Sequence, residues 1–163
     1  MSWRGSTTVK DRIFACLPYL LPLIEVSNFG RPLLSEFPPL AVVFSPLFAV
    51  SAVYNTIARS FPFGLGGLII FFALFMLVVR NERVPHFIRF NTMQAILLDI
   101  VIILCTIVLE LIGITGNGFA LSTLATTIFL GIVVASAYSI VQSILGRYAE
   151  IPAISDAVYM QVR

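Results

Sequence analysis

The stretch Asn91–Ile114, NTMQAILLDIVIILCTIVLELIGI, decides the class of this protein. A helix that crosses a bilayer needs about 20 predominantly apolar residues. This stretch has that length and contains only two charges, Asp99 and Glu110. The rest of the chain has the same character. Of 163 residues, 59% are hydrophobic and 11% are charged, and the mean hydropathy is +1.01. A soluble domain carries roughly 25% charged residues to keep its surface wet. The composition therefore excludes a soluble globular domain, a disordered chain and a secreted disulfide scaffold. It specifies an all-α integral membrane protein, read as a single membrane domain over 1–163.

Working outward from 91–114, three further segments meet or approach the spanning length: 13–29, 62–79 and 121–145. The first contains Pro18, Pro22 and Glu25. A fifth uncharged run, 37–58, holds Pro38, Pro39 and Pro46, with Ser45, Ser51, Asn55 and Thr56 in its second half. Its composition suits an interfacial or re-entrant segment better than a span. Charge supports this choice, because short cytoplasmic loops collect Lys and Arg. With four spans, Arg4, Lys10, Arg12, Arg80, Arg83, Arg89, Arg147 and Arg163 share one side, leaving Arg31 and Arg59 opposite. A fifth span would scatter them. Four transmembrane helices with both termini on the cytoplasmic or stromal side are expected. No small-residue cleavage site follows Ile24, so the first segment should remain as an anchor.

Asp99 and Glu110 lie close to three full turns apart, and Thr92, Ala95 and Thr106 fall on or beside the same face. Thr92, Asp99, Thr106 and Glu110 thus form a candidate polar stripe. Ionisable residues at membrane depth are costly and signal a function or a buried partner. Asp99 lies about 12 Å along the helix from Asn91, level with Ser136–Ser139 on the returning helix. Those hydroxyls, or Tyr138, are its expected hydrogen-bond donors; a structural bond and a conducting role both remain open. Glu110 and Glu25 are expected near the outer interface. No second acid or histidine is expected at the depth of Asp99.

Gly131, Ala135, Ser139 and Ser143 recur every four residues, a stripe small enough for close helix contact and with no room for a branched side chain. Gly64, Gly66 and Gly67 should let the second span approach a neighbour. His86, Arg89, Asn91 and Gln94 fall at the inner end of the third span, where Arg89 can snorkel, and Pro85 can open the helix. Gly146 reads as a helix stop. After it, Ser155 reads as an N-cap with Asp156 in the first turn. Ile151, Ile154, Val158 and Val162 form the apolar side of a short amphipathic C-terminal helix.

Nothing in these residues looks like an enzyme. Asp99 and Glu110 are about 16 Å apart along the helix, against about 5–10 Å for carboxylates that flank a hydrolysed bond. Cys16 and Cys105 sit in apolar runs without metal-type spacing and read as packing residues, and His86 is the only histidine. No metal and no cofactor are implied. A net charge of +2 without a basic run excludes nucleic acid as a partner.

Several of these segments also resemble a known family. They are 15–23 (ACLPYLLPL), 71–74 with 78–81 (FFAL, VVRN), and above all 86–99, HFIRFNTMQAILLD, followed by Gly146-Arg147-Tyr148, Ile151-Pro152 and Ser155-Asp156-Ala157. In these the chain is similar to the twenty-kilodalton subunit of the translocon at the inner envelope of chloroplasts, the Tic complex, and to its cyanobacterial homologues. The resemblance implies a four-helix subunit of a preprotein-import machine that lines or organises the conducting path, with no catalytic residues to carry over. It implies other translocon subunits or self-association as partners, besides translocating polypeptides and membrane lipid. Plant members begin with a transit peptide and this chain does not, so it looks cyanobacterial or plastid-encoded, from a cyanobacterial plasma membrane or an inner envelope. Two other readings are kept: a small-solute or ion carrier using the Asp99 stripe, and a membrane assembly scaffold.

Overall fold

A computed structural model describes residues 7–62, 65–113, 118–152 and 154–162, and every regular element among them is helical. The chain enters at Thr8, whose hydroxyl accepts from the Asp11 backbone N–H at 3.2 Å while the Asp11 carboxylate accepts from the Thr8 backbone N–H at 2.9 Å. This capping box satisfies two donors at the start of a helix, and the Thr8 bonds hold the Asp11 carboxyl below its ordinary pKa. From there α1 (Val9–Cys16), a 3-10 turn (Leu17–Tyr19) and α2 (Leu20–Val26) run end to end, an interrupted rod of about 27 Å. The interruption falls at Pro18, which has no N–H to give the ladder.

The segment read as interfacial or re-entrant is broken. After α3 (Arg31–Glu36) it forms α4 (Pro38–Val43) and α5 (Ser45–Arg59), each opened by proline. Proline suits the first helical turn, where its missing N–H would have no partner. Neither α4 nor α5 has the length of a span. The next helix, α6 (Gly66–Leu74), starts four residues later than the 62–79 segment and widens into a π turn, Phe75–Val79. Gly66 is required there, because a Cβ would strike the backbone of Ala58 in α5. Gly64 lies outside the described residues.

Helices α7 (His86–Gly113) and α8 (Gly118–Ile144) are about 42 and 40 Å long. Among the described residues they are the two helices with the length and apolarity to cross a membrane. Pro85 stands just outside α7, and its carbonyl accepts from Arg89 N–H at 3.1 Å. Gly146, at φ +71°, ends α8 as expected. The Arg147 N–H reaches the Gln142 carbonyl at 2.8 Å and the Gly146 N–H reaches Ser143 at 3.0 Å, the paired bonds of a Schellman stop. Arg12 adds a guanidinium bond to the Ile144 carbonyl, 3.3 Å.

The core surrounds one half of α7. From Phe87 to Asp99 nearly every side chain is buried, whereas Val101 to Gly113 is mostly exposed apart from Ile102. Tyr19, Val26, Ala95, Leu98, Phe129 and Ile132 make one cluster between the first rod, α7 and α8. Val79, Phe90, Met93, Ile96, Val158 and Val162 make a second, towards α6 and α9 (Ile154–Gln161). The apolar side of α9 therefore packs on α7. Ser155 lies inside α9, and its hydroxyl accepts from the Ile151 N–H at 2.7 Å instead of capping the helix.

Candidate functional site

The buried half of α7 carries a polar seam. Asn91 is its centre and is fully buried. Its Nδ2 donates to the Phe87 carbonyl at 2.8 Å, and its Oδ1 accepts from the Tyr19 hydroxyl at 2.9 Å and the Ser143 hydroxyl at 2.8 Å. One amide thus ties the first rod, α7 and α8 together. A turn along, Gln94 Nε2 donates to Ser139 Oγ at 3.0 Å. A buried polar group without a partner is costly in an apolar medium, so these bonds select one rotation of α8 against α7. Thr92 is also buried, but its hydroxyl returns to the Ile88 carbonyl of its own helix at 2.8 Å.

Three buried oxygens lack a partner among the described residues: Gln94 Oε1, Asp99 Oδ1 and Ser136 Oγ. Asp99 is 5% exposed. The expected donors do not reach it: Ser139 is engaged by Gln94, and Tyr138 is exposed on another side of α8. Glu25 is half-buried and accepts from the Tyr54 hydroxyl at 2.6 Å, because α5 folds back on α2 and carries Tyr54 towards it. Beside Glu25 and Tyr54 opens a polar cleft of about 450 Å³, with Asn28, Arg31, Ser51 and Asn55 among its walls. Glu25 in an apolar run, with Ser51, Tyr54 and Asn55 on one side of α5, is the signal that sequence reasoning missed.

The remaining stripe residues separate. Thr106 is half-buried and bonds the Ile102 carbonyl at 2.9 Å, while Glu110 is exposed near the far end of α7. Thr92 and Asp99 are thus enclosed by protein, and the outer part of the stripe is not. The residues at the start of α7 are tethered. His86 Nε2 donates to the Val162 carbonyl at 3.3 Å, leaving Nδ1 to accept from Tyr148 at 3.0 Å. Arg89 Nε donates to the Val79 carbonyl at 2.8 Å, satisfying the end of the π turn.

The small-residue stripe of α8 is corrected at one end. Ser139 and Ser143 are buried and Ala135 half-buried, but Gly131 is exposed, and a Cβ there would meet nothing within 4 Å. The packing side runs instead through Phe129, Ile132, Ser136, Ser139 and Ser143. Gly131→Leu should accordingly leave thermal stability in detergent unchanged, whereas Ser139→Leu should cost about 1–3 kcal/mol through overpacking. Equal losses at both positions would place Gly131 against protein.

Long apolar helices joined by a buried, hydrogen-bonded polar seam define a helical membrane protein. Among the described residues, no group of three or more His, Cys, Asp or Glu could hold a metal ion. The chain belongs to the Tic20 family: the family model described as chloroplast import apparatus Tic20-like matches residues 8–158. It is 46% identical to a Tic20 family protein of Synechocystis sp., covering 100% of this chain and 99% of that protein. It is 35% identical to the Tic20 family protein Ycf60 of Gracilaria tenuistipitata var. liui, covering 95% and 76%. It is 31% identical to Protein TIC 20-v, chloroplastic, of Arabidopsis thaliana, covering 96% and 73%. Proteins of this family are translocon components and not enzymes.

Proposed function

We propose that this protein is a four-span, multi-pass subunit of a protein-translocation complex, organising the conducting path together with other subunits or further copies of itself. The observation that carries this reading is the match to an import-apparatus family over residues 8–158. The packing supports it. One half of α7 is locked to its neighbours by the Asn91 seam, while Ile103, Leu104, Ile107 and Leu111 of the other half are exposed, leaving apolar surface for helices of partner subunits. Both termini and the loop around Glu82 belong on the cytoplasmic or stromal side. The membrane is a cyanobacterial plasma membrane or a chloroplast inner envelope.

Two experiments test this. Cysteines at Glu82 and Met160 should label from the cytoplasmic or stromal side and one at Asn117 from the other; labelling of 82 and 117 from one side overturns the four-span topology. Photoreactive residues at Leu104 and Ile107, introduced in native membranes, should crosslink to other translocon subunits, further copies of the chain or a polypeptide in transit. Crosslinks to lipid alone would remove the support that this surface gives.

A second reading, a small-solute or ion carrier, is favoured by one observation. Asp99 Oδ1 is buried without a partner among the described residues. Under that reading the purified protein moves a solute across liposomes unaided.

A further inference from the structure

On the side of the first rod away from α8, an apolar groove of about 720 Å³ lies between the rod, α5 and α6. Its volume is within the range of sites that enclose a small ligand, about 300–1,000 Å³. Phe14, Leu17 and Ile24 form one wall, Val53 and Ile57 another, and Leu74 a third. Measured along the rod from Phe14 to Ile24, the groove is about 15 Å long. That equals half of a hydrocarbon core of about 30 Å, the depth of one leaflet.

The groove's end at the 80–85 loop is different. Arg83 lines it there, between the end of the π turn and the start of α7, at the level where both helices leave the apolar layer. The Arg83 backbone N–H is held by Asn81 Oδ1 at 3.0 Å, which fixes the loop. Its guanidinium has no hydrogen-bond or ion-pair partner among the described residues, and Glu82 beside it forms no ion pair with it. The neighbouring Arg89 is committed to the Val79 carbonyl. An apolar slot one leaflet deep, ending at an unpaired cation at the membrane surface, matches a molecule with an acyl tail and an anionic head.

We propose that this groove is a binding seat for an anionic glycerophospholipid of the leaflet that Arg83 borders. One acyl chain lies along Leu17, Val53 and Leu74, and the phosphodiester sits on the Arg83 guanidinium. Arginine is suited to the task because its planar fork presents paired donors to phosphate oxygens. The seat requires only that the helices lie in a membrane, so it holds whichever side the 80–85 loop occupies and whatever the protein transports.

The test is native mass spectrometry of the full chain released from detergent, titrated with dioleoyl phosphatidylglycerol or dioleoyl phosphatidylcholine. Phosphatidylglycerol should be retained in preference to phosphatidylcholine. Arg83→Gln should weaken its retention by about fivefold, the factor that one basic residue contributes at an anionic membrane surface, and weaken that of phosphatidylcholine, whose phosphate is offset by its own choline, much less. Val53→Trp, which fills the slot, should reduce retention of both lipids. Glycerol 3-phosphate, a head without tails, should not compete. Equal retention of the two lipids, or phosphatidylglycerol retention indifferent to Arg83→Gln, overturns the proposal. So does competition by glycerol 3-phosphate, which would assign the site to a free phosphate. A photoreactive residue at Leu17 that captures polypeptide instead of lipid in native membranes would also overturn it. Arg83 is exposed, so its variant should fold even if the Trp variant does not.

Discussion

Asn91→Ala should lower the stability of the folded protein by about 2–4 kcal/mol. The substitution leaves the Tyr19 and Ser143 hydroxyls, both inside the bundle, without the acceptor they share. A buried polar group stripped of its partner costs about 1–3 kcal/mol. Hydrogen bonds between helices in membranes average nearer 0.6 kcal/mol, because the helices find other partners when apart, and this keeps the total below the simple sum. A thermal or denaturant melt in detergent micelles measures the loss. The triple variant Tyr19→Phe/Asn91→Ala/Ser143→Ala should be more stable than Asn91→Ala alone, because it removes the orphaned hydroxyls together with the amide. If single-variant costs at 91 and 143 simply add, the two residues do not share a bond.

Asp99→Asn should leave the protein folded and assembled, with stability equal to or above that of the parent. The carboxyl Oδ1 has no partner to lose among the described residues, and the amide is close to the carboxyl in size. Asp99→Leu keeps the site apolar and should also fold, a result that Asp99 as a hydrogen-bonded keystone would not allow. The two functional readings separate on transport. For a translocation subunit, Asp99→Asn retains complex assembly and activity, and the parent protein alone moves no ion or small solute in liposomes. For a carrier, the parent conducts unaided and Asp99→Asn abolishes the flux while the fold survives. A folded, assembled but inactive Asn variant would put the carrier reading ahead.

Much of the architecture was legible in the residues because a bilayer imposes simple rules. Apolar run length marks 91–114 and 121–145, and these are the two long helices: α7 begins five residues earlier, just after Pro85, and α8 begins three residues earlier and stops at Ile144, before Gly146. The prolines of 37–58 divide that segment as their chemistry requires. The motif HFIRFNTMQAILLD leads to the family because its polar residues stand in an apolar helix, where hydropathy alone would permit almost any order. Asn91 and Gln94 in that motif belong to the seam, yet the residues by themselves suggest an interfacial position for both.

The sequence alone determined that the chain is helical, belongs in a membrane and is a member of an import-apparatus family. The tertiary structure decided which sides of those helices meet. On α8, Gly131 and Ser139 look equivalent at four-residue spacing, but Ser139 is enclosed by Gln94 while Gly131 faces open space. Lipid and protein interior are both apolar, so hydropathy cannot tell a side that touches one from a side that touches the other. Likewise, Glu25 and Tyr54 are far apart in the chain, and only the packing of α5 on α2 brings the hydroxyl within 2.6 Å of the carboxylate. Partner choice among buried polar groups depends on helix rotation and depth, and these are fixed only when the helices pack.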